Sequence, residues 1–443
     1  MIKKVSLWLL ILAVCLTLSP AAASADGEPY ALTVTVNGAP RAVRAYDGTY
    51  EGNIYLSLTD LAAALSGTEK QFRFERVVSS TEGEYFTVSM GQMPVLGSGA
   101  GGISGQTSVA VLNLFRNRLL VDGSERKYYT CNPQNGDLYM SLIDVQLMLD
   151  MTIERSGKAL TAKPAQPFLP DAKALRDEGY FDNISSVYLA DADSGEVLFL
   201  WNGYSALPAA SLSKLLSYLV LKEAISAGEI HQSDMVRISE QAQALSRSAD
   251  GIVPMEAGAY VPFQELVEAM LVASSNEAAL ALAEHLCGSE EAFVERMNAR
   301  ARELGLYSVV MYNCNGLPSY SDGNVPVKRQ NLMSAADLYL LTQLIIQQYP
   351  EITEITSTTL AHFPDLNDYW TANSNPLIYN MEGVTGLKTG STNKAGYCLV
   401  ATMPVAAGDE AHNIVLVLLG AESADIRGQA SEILMRYARS LYR

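Results

Sequence analysis

Hydrophobic and polar positions change their period along this chain, and the changes divide it. From Leu32 to Val36 apolar and polar residues alternate, as on a strand with one buried face, and Asn37-Gly38 supplies a turn. The pattern from Asn53 to Leu61 returns from Asp137 to Val145. Each copy predicts a short strand, a helix capped near Thr59 or near Ile143-Asp144, and a second strand. Such self-similarity predicts two related half-units within a small α+β module over residues 26–163. The Gly97 to Gly105 stretch between the copies reads as a flexible loop without phosphate-loop spacing.

The prolines from Pro164 to Pro170 predict a hinge, which opens a linker over residues 164–180. Beyond it, Ser186 to Leu200 reads as two strands around a Ser194-Gly195 turn. Helical periodicity begins at Ser211, Phe263, Asn276, Phe293 and Ala335. Strand patterns return at Tyr397 to Thr402 and Asn413 to Leu419, and an amphipathic helix spans Ala424 to Tyr442. Strands first, helices in the middle and strands last predict an α/β domain over residues 181–443, its single sheet built from both ends and covered by helices.

The chain begins as an export signal would. Lys3 and Lys4 precede a 14-residue apolar run from Val5 to Leu18, and Ala23-Ser24-Ala25 offers a cleavage site, so residues 1–25 read as a signal peptide. The run is short of the ~20 residues of a membrane helix. Cys15 lies inside the run behind Val14, which argues against lipidation. The expected location is outside the cytoplasm, extracellular or associated with the wall or membrane. Formal charge is −17, and removal of residues 1–25 takes two lysines and no acids, giving −19. That balance excludes nucleic acid or anionic lipid as partner of a broad basic face. Cys131, Cys287, Cys314 and Cys398 would remain, with no C-x-x-C pair and no Cys/His metal spacing, so neither metal nor cofactor is expected.

Three short motifs carry candidate chemistry. Ser-x-x-Lys occurs at Ser124–Lys127, Ser211–Lys214 and Ser391–Lys394; Ser-x-Asn occurs at Ser274–Asn276 and Ser391–Asn393; Lys388-Thr389-Gly390 occurs once. Context favours Ser211 and Lys214. Leu212, Leu215, Leu216, Leu219 and Val220 predict a buried helix whose spacing of three puts hydroxyl and amine on one face. A serine needs a nearby base to act as nucleophile, and a lysine, pKa ~10.4, becomes one only when burial or a second cation lowers that value. Lys388 is a candidate for the second cation. By themselves the two residues fit a helix cap and a snorkelling lysine better than a nucleophile and its base. Ser274-Ser275-Asn276 falls at a corner between two helices, where it either presents a hydroxyl and an amide into a cleft or caps a helix. Lys388-Thr389-Gly390 precedes a predicted strand: Lys388 and Thr389 suit a carboxylate, and Gly390 permits close backbone approach. The Ser391 and Ser211 N–H groups are candidates for an oxyanion hole, in which each donor contributes about 2.7–4 kcal/mol.

The order Ser-x-x-Lys, Ser-x-Asn, Lys-Thr-Gly is that of penicillin-binding proteins and class A β-lactamases. With Leu282 to His285, Gly288-Ser289, Glu303 to Gly305, Gly316-Leu317, Ser334 to Asp337, Gly383 to Thr392 and Ala395 to Cys398, the stretch from Val187 to Ala438 resembles the D-alanyl-D-alanine carboxypeptidases among low-molecular-mass penicillin-binding proteins. The resemblance implies a β-lactamase/transpeptidase-like fold, an antiparallel sheet covered by helices. It also implies roles. Ser211 attacks the penultimate D-Ala of a peptidoglycan stem peptide ending in D-Ala-D-Ala, and Lys214 is its base. Ser274 and Asn276 relay protons and orient substrate, Lys388 and Thr389 hold the terminal carboxylate, and β-lactams acylate Ser211.

Ser213, Ser275 and Glu277 stand where threonine, glycine and aspartate are frequent in that family. Its further carboxy-terminal β domain and anchor have no counterpart before Arg443, which leaves membrane attachment open. The N-terminal part resembles the stalk modules first recognised in copper amine oxidases, with no copper implied. Of the rivals, a class A β-lactamase would need a glutamate where Phe363 to Asn367 has Phe363-Pro-Asp-Leu-Asn367. A catalytically silent protein would not need Ser211, Lys214, Ser274, Asn276, Lys388 and Thr389 together. A Ser-His-Asp hydrolase is disfavoured because His231, His285, His362 and His412 lie away from the motifs.

Overall fold

Six consecutive residues, Ile414 to Leu419, are fully buried and serve two cores in alternation. Ile414, Leu416 and Leu418 face one core, and Val415, Val417 and Leu419 face the other. A strand that reads as a continuous apolar run is covered on both faces; each such side chain contributes about 1.5–3 kcal/mol. In the computed structural model this strand, Glu410–Ala421, lies at the centre of a five-stranded antiparallel sheet. Across the sheet the order is Val197–Trp201, Ile184–Asp191, Glu410–Ala421, Gly396–Ala407 and Gly386–Thr392. The first two strands come from the start of the domain and the last three from its end, as the sequence predicts. The structure describes residues 30–47, 54–94, 117–128, 130–131, 137–156, 159–320, 328–408 and 410–442. The expected signal peptide 1–25 with Cys15, and the Gly97 to Gly105 loop, lie outside the described residues.

The C-terminal helix Ala424–Leu441 covers one face of the sheet. The helices Lys214–Ser226 and Ala335–Gln348 belong to the core on the other face. Residues 214–221 are all buried, so the first two turns of the helix Lys214–Ser226 are enclosed on all sides. Several boundaries differ from expectation. A 3-10 turn, Ala210–Ser213, precedes the α-helix that begins at Lys214, so Ser211 is not in the α-helix. Lys388-Thr389-Gly390 precedes the strand Gly396–Ala407 as expected, but itself lies in an edge strand, Gly386–Thr392, that the pattern does not predict. The helix expected from Phe293 begins at Glu290, because Ser289 caps it by accepting from Ala292 N at 3.2 Å.

The N-terminal part contains both copies of the repeat. One runs Ile54–Ser57, Leu58–Ala64, Phe72–Ser79; the other runs Tyr139–Ser141, Leu142–Leu149, Thr152–Ser156. Their first strands pair antiparallel, Leu56 against Met140, so the copies meet head to head. The caps are Ser57 and Ser141, two residues ahead of the expected Thr59 and two or three ahead of Ile143-Asp144. Each serine oxygen accepts at 3.1 Å from the backbone of the third helical residue, Asp60 or Asp144. A serine three residues before an acid is an N-terminal signature that outranks the start of apolar periodicity.

This module packs on the same C-terminal helix that covers the sheet. Ile433 joins its hydrophobic core. Gln429 Nε2 donates to Ser141 Oγ at 3.0 Å, Asp144 Oδ2 at 2.8 Å and Asp425 Oδ1 at 3.2 Å, all buried. Burial pushes the Asp144 carboxyl up to about 7, against hydrogen bonds from Gln429 and Ser141. Burial, and then Asp144, hold the Asp425 carboxyl well above its usual range.

A carboxyl raised from 3.8 to about 7 binds its proton more tightly in the folded protein. The stability it contributes is present below the unfolded value and is lost as pH rises through the folded one. Asp144→Asn should therefore gain in melting temperature relative to the parent as pH rises from about 4 to 7. Calorimetry across that range checks this, and a pH-independent difference would count against it.

Candidate active site

The site forms where three segments meet against the edge strand. Ala210 has φ 48, a left-handed backbone that costs a non-glycine residue on the order of 1 kcal/mol. Its carbonyl accepts from Ser213 Oγ at 2.8 Å. Ala209 N donates to Asn331 O at 3.0 Å. These contacts hold the tight turn that carries Ser211. The helix Phe263–Glu268 widens into a π-turn, Ala269–Ala273, and ends at Ser274 with φ 64. Ser275, not Ser274, caps the next helix, Asn276–Cys287, accepting from Ala278 N at 3.0 Å. The capping alternative for this triplet thus applies to Ser275, while Ser274 lines a cavity.

That cavity holds about 380 Å³. Ser211, Ser274, Asn276, Thr389, Gly390 and Ser391 line it, joined by residues that motif reading missed, Asp250, Ser374, Tyr397 and Arg427. Ser374 Oγ and Thr389 Oγ1 share a hydrogen bond of 2.5 Å. Arg427, 4% exposed, comes from the C-terminal helix. On a sequence it is one basic residue of an amphipathic helix, so no motif marks it. Lys214 and Lys388 are not in the lining; they are buried, at 0% and 2% exposure.

Lys214 Nζ has three acceptors: Ser211 Oγ at 2.9 Å, Asn276 Oδ1 at 2.8 Å and Asn315 O at 2.7 Å. An ammonium group can donate to all three. A neutral amine can donate to the two fixed oxygens, Asn276 Oδ1 and Asn315 O, and accept the Ser211 hydroxyl proton. One geometry thus serves both protonation states. Burial lowers the Lys214 amine to about 7, opposed by Cys314 and Glu277. Burial, rather than the second cation anticipated from the sequence, is the main cause. Lys388 Nζ donates to Thr389 O at 3.0 Å, and burial, then Lys214, then Arg427, hold it well below the usual lysine range.

Two glycines make the approach possible. A Cβ on Gly390 would stand 2.8 Å from Ser211 N. One on Gly316, whose φ is +92°, would stand 1.9 Å from Ala210 O. Among the other motif matches, Ser124 and Lys127 sit in the N-terminal part, where Lys127 pairs with Glu125. Asn393 and Lys394 are exposed and line a neighbouring cavity of about 880 Å³, which shares Asp250, Leu317, Ser391 and Tyr397 with the first. None of the four histidines lines the Ser211 cavity; His285 pairs with Asp234 at 3.1 Å and His412 with Asp191 at 2.8 Å. Among the described residues no cluster could hold a metal, and no helix is long and apolar enough to cross a membrane. Cys287, Cys314 and Cys398 are unbridged.

Comparison with known proteins places these elements in a lineage. The family model described as D-alanyl-D-alanine carboxypeptidase matches residues 182–423. D-alanyl-D-alanine carboxypeptidase DacF of Bacillus subtilis is 32% identical over 281 residues, 62% of this chain and 68% of that protein. DacA of Escherichia coli is 32% identical over 221 residues, 49% of this chain and 52% of that protein. The chain thus spans between about half and two thirds of these relatives. Among solved structures, a peptidoglycan synthesis regulatory factor (PBP3) from Streptococcus pneumoniae is 31% identical with a TM-score of 0.54, over 58% of this chain and 74% of that one. Penicillin-binding protein 5 from Haemophilus influenzae is 29% identical with a TM-score of 0.52, over 58% and 71%.

Gly390→Ala should push the edge strand off the Ser211 turn. The expected result is acylation of Ser211 by a fluorescent penicillin slowed by about 100-fold or more, with circular dichroism unchanged. Labelling at the parent rate would refute the close approach.

Proposed function

The chain belongs to the D-alanyl-D-alanine carboxypeptidase family, and we propose that it removes the terminal D-alanine of peptidoglycan stem peptides through an acyl-enzyme on Ser211. The observation that carries this reading is the contact set of Lys214, whose amine can take the Ser211 proton without any of the three groups moving. Ser211 Oγ attacks the carbonyl of the penultimate D-alanine while its proton passes to Lys214 Nζ. The backbone N–H groups of Ser211 and Ser391 receive the developing oxyanion. Arg427, Thr389 and, through Thr389, Ser374 line the cavity and would hold the terminal carboxylate, while Lys388 stays buried outside the lining, donating to Thr389 O.

Collapse of the intermediate breaks the peptide bond. The leaving nitrogen takes a proton from Lys214, relayed by the Ser274 hydroxyl, and departs as D-alanine. Water then attacks the acyl-enzyme and releases the peptide shortened by one residue. A β-lactam enters by the same attack but keeps its leaving nitrogen tethered, so acylation is expected to be long-lived. No glutamate stands in the 363–367 segment, and Asp365 is exposed and outside the cavity lining, which leaves fast β-lactam turnover without a base. The N-terminal module would serve as a stalk that sets the reach of this site.

Incubation with a pentapeptide ending in D-Ala-D-Ala should release a single alanine, read by mass spectrometry. Ser211→Ala should abolish that release. Lys214→Ala should lower acylation by about 10²–10⁴-fold. An intact peptide after incubation with folded protein would refute the reading. Because Lys214 must be neutral to accept the proton, activity should fall as pH drops below about 7; a flat profile between pH 5 and 9 would argue against Lys214 as the base. Nitrocefin should be hydrolysed at well under one turnover per second, and many turnovers per second would favour a β-lactamase.

A further inference from the structure

Glu277 is a buried ionisable group that the reaction above does not use. It follows Asn276 in the chain and has no exposed surface. One carboxylate oxygen, Oε1, accepts from Ile252 N at 3.0 Å and from Val253 N. The other, Oε2, is buried with no hydrogen-bond partner among the described residues. A carboxylate left half-satisfied in an apolar setting costs stability, and an apolar side chain of similar size would fill the space without that cost. Its contribution to stability therefore does not explain it.

Its contacts lead to the base. Ala249, Asp250 and Ile252, on the segment that Glu277 holds, line the Ser211 cavity. The Asp250 carbonyl accepts from Asn276 Nδ2 at 2.8 Å, and the opposite end of that amide, Oδ1, accepts from Lys214 Nζ. The two ends of an asparagine amide differ, and only the oxygen suits an amine that must donate. We infer that Glu277 is a positioning residue for the base: by gripping residues 252–253 it fixes the Asp250 carbonyl, which locks the Asn276 amide with its oxygen toward Lys214. The inference rests on the reading of Ser211 and Lys214 as nucleophile and base.

The carboxylate has a second effect on the same amine. The ionisable groups facing Lys214 are Glu277 from the helix Asn276–Cys287, Cys314 from the neighbouring turn, and Lys388 from the edge strand, behind which stands Arg427. Glu277 favours the ammonium form and so opposes burial. Glu277→Gln keeps an acceptor for the two backbone N–H groups and removes the charge. Glu277→Ala removes both, and Glu277→Asp keeps the charge at shorter reach.

The test is the pH profile of acylation by a fluorescent penicillin, measured on the full chain. Glu277→Gln should move the acidic limb to lower pH by roughly one unit, because loss of a nearby negative charge lowers an ammonium pKa. Glu277→Ala should slow acylation by at least about tenfold at every pH, with part of the rate recovered in Glu277→Asp. Should Glu277→Ala fail to fold, the Glu277→Gln profile decides alone. A Glu277→Gln profile that coincides with the parent's, accompanied only by a lower melting temperature, would reduce Glu277 to scaffold. A folded parent that takes no label at Ser211 would overturn the nucleophile reading itself and this inference with it.

Discussion

A lysine amine whose affinity for its proton falls to the neutral range needs an enclosure, and the architecture around Lys214 supplies one. The first two turns of the helix Lys214–Ser226 are buried on every side, so its first residue starts beneath the protein surface. Burial alone would leave an orphaned cation; three oxygens from three separate segments receive its protons instead. One belongs to Ser211. The other two, Asn276 Oδ1 and Asn315 O, are fixed by their own segments, so the amine has one variable partner, the Ser211 hydroxyl.

Holding those segments together requires backbone in forms that most residues avoid. Ala210 and Ser274 both adopt left-handed φ, at the turn before Ser211 and at the exit of a π-turn. Gly316 and Gly390 press against the Ser211 turn more closely than any side chain would permit. The helical core around Lys214 and the sheet buried on both faces pay for these strained positions. The edge strand Gly386–Thr392 matters for a second reason: with only one neighbour in the sheet, it keeps its outer side for the cavity.

The C-terminal helix Ala424–Leu441 unites the two parts of the chain. One of its faces covers the sheet and sends Arg427 to the cavity, while Gln429 and Ile433 meet the N-terminal module. The buried Asp144 and Asp425 at that contact, bridged by Gln429, make it sensitive to proton concentration in a way that an apolar interface would not be.

Local chemistry is written locally. The apolar run Ile414 to Leu419, the internal repeat and the three motifs could all be read from the order of residues, because strand burial, helix periodicity and a serine–lysine spacing of three depend on near neighbours. Boundaries at Ser57, Ser141 and Glu290 needed only closer attention to capping serines, also a local signal. The choice among three Ser-x-x-Lys matches was decided by the apolar context of Leu212 to Val220, which already implied enclosure. Asn315, Ser374, Asp250 and Arg427 could not be found in this way. Each belongs to the site because a distant segment folds against Ser211, and the free energy that brings it there is spread over two cores rather than encoded beside it. The sequence by itself determined which residues are candidates for the chemistry; tertiary packing alone decided which oxygens surround the amine, which arginine lines the cavity, and how far burial lowers a lysine.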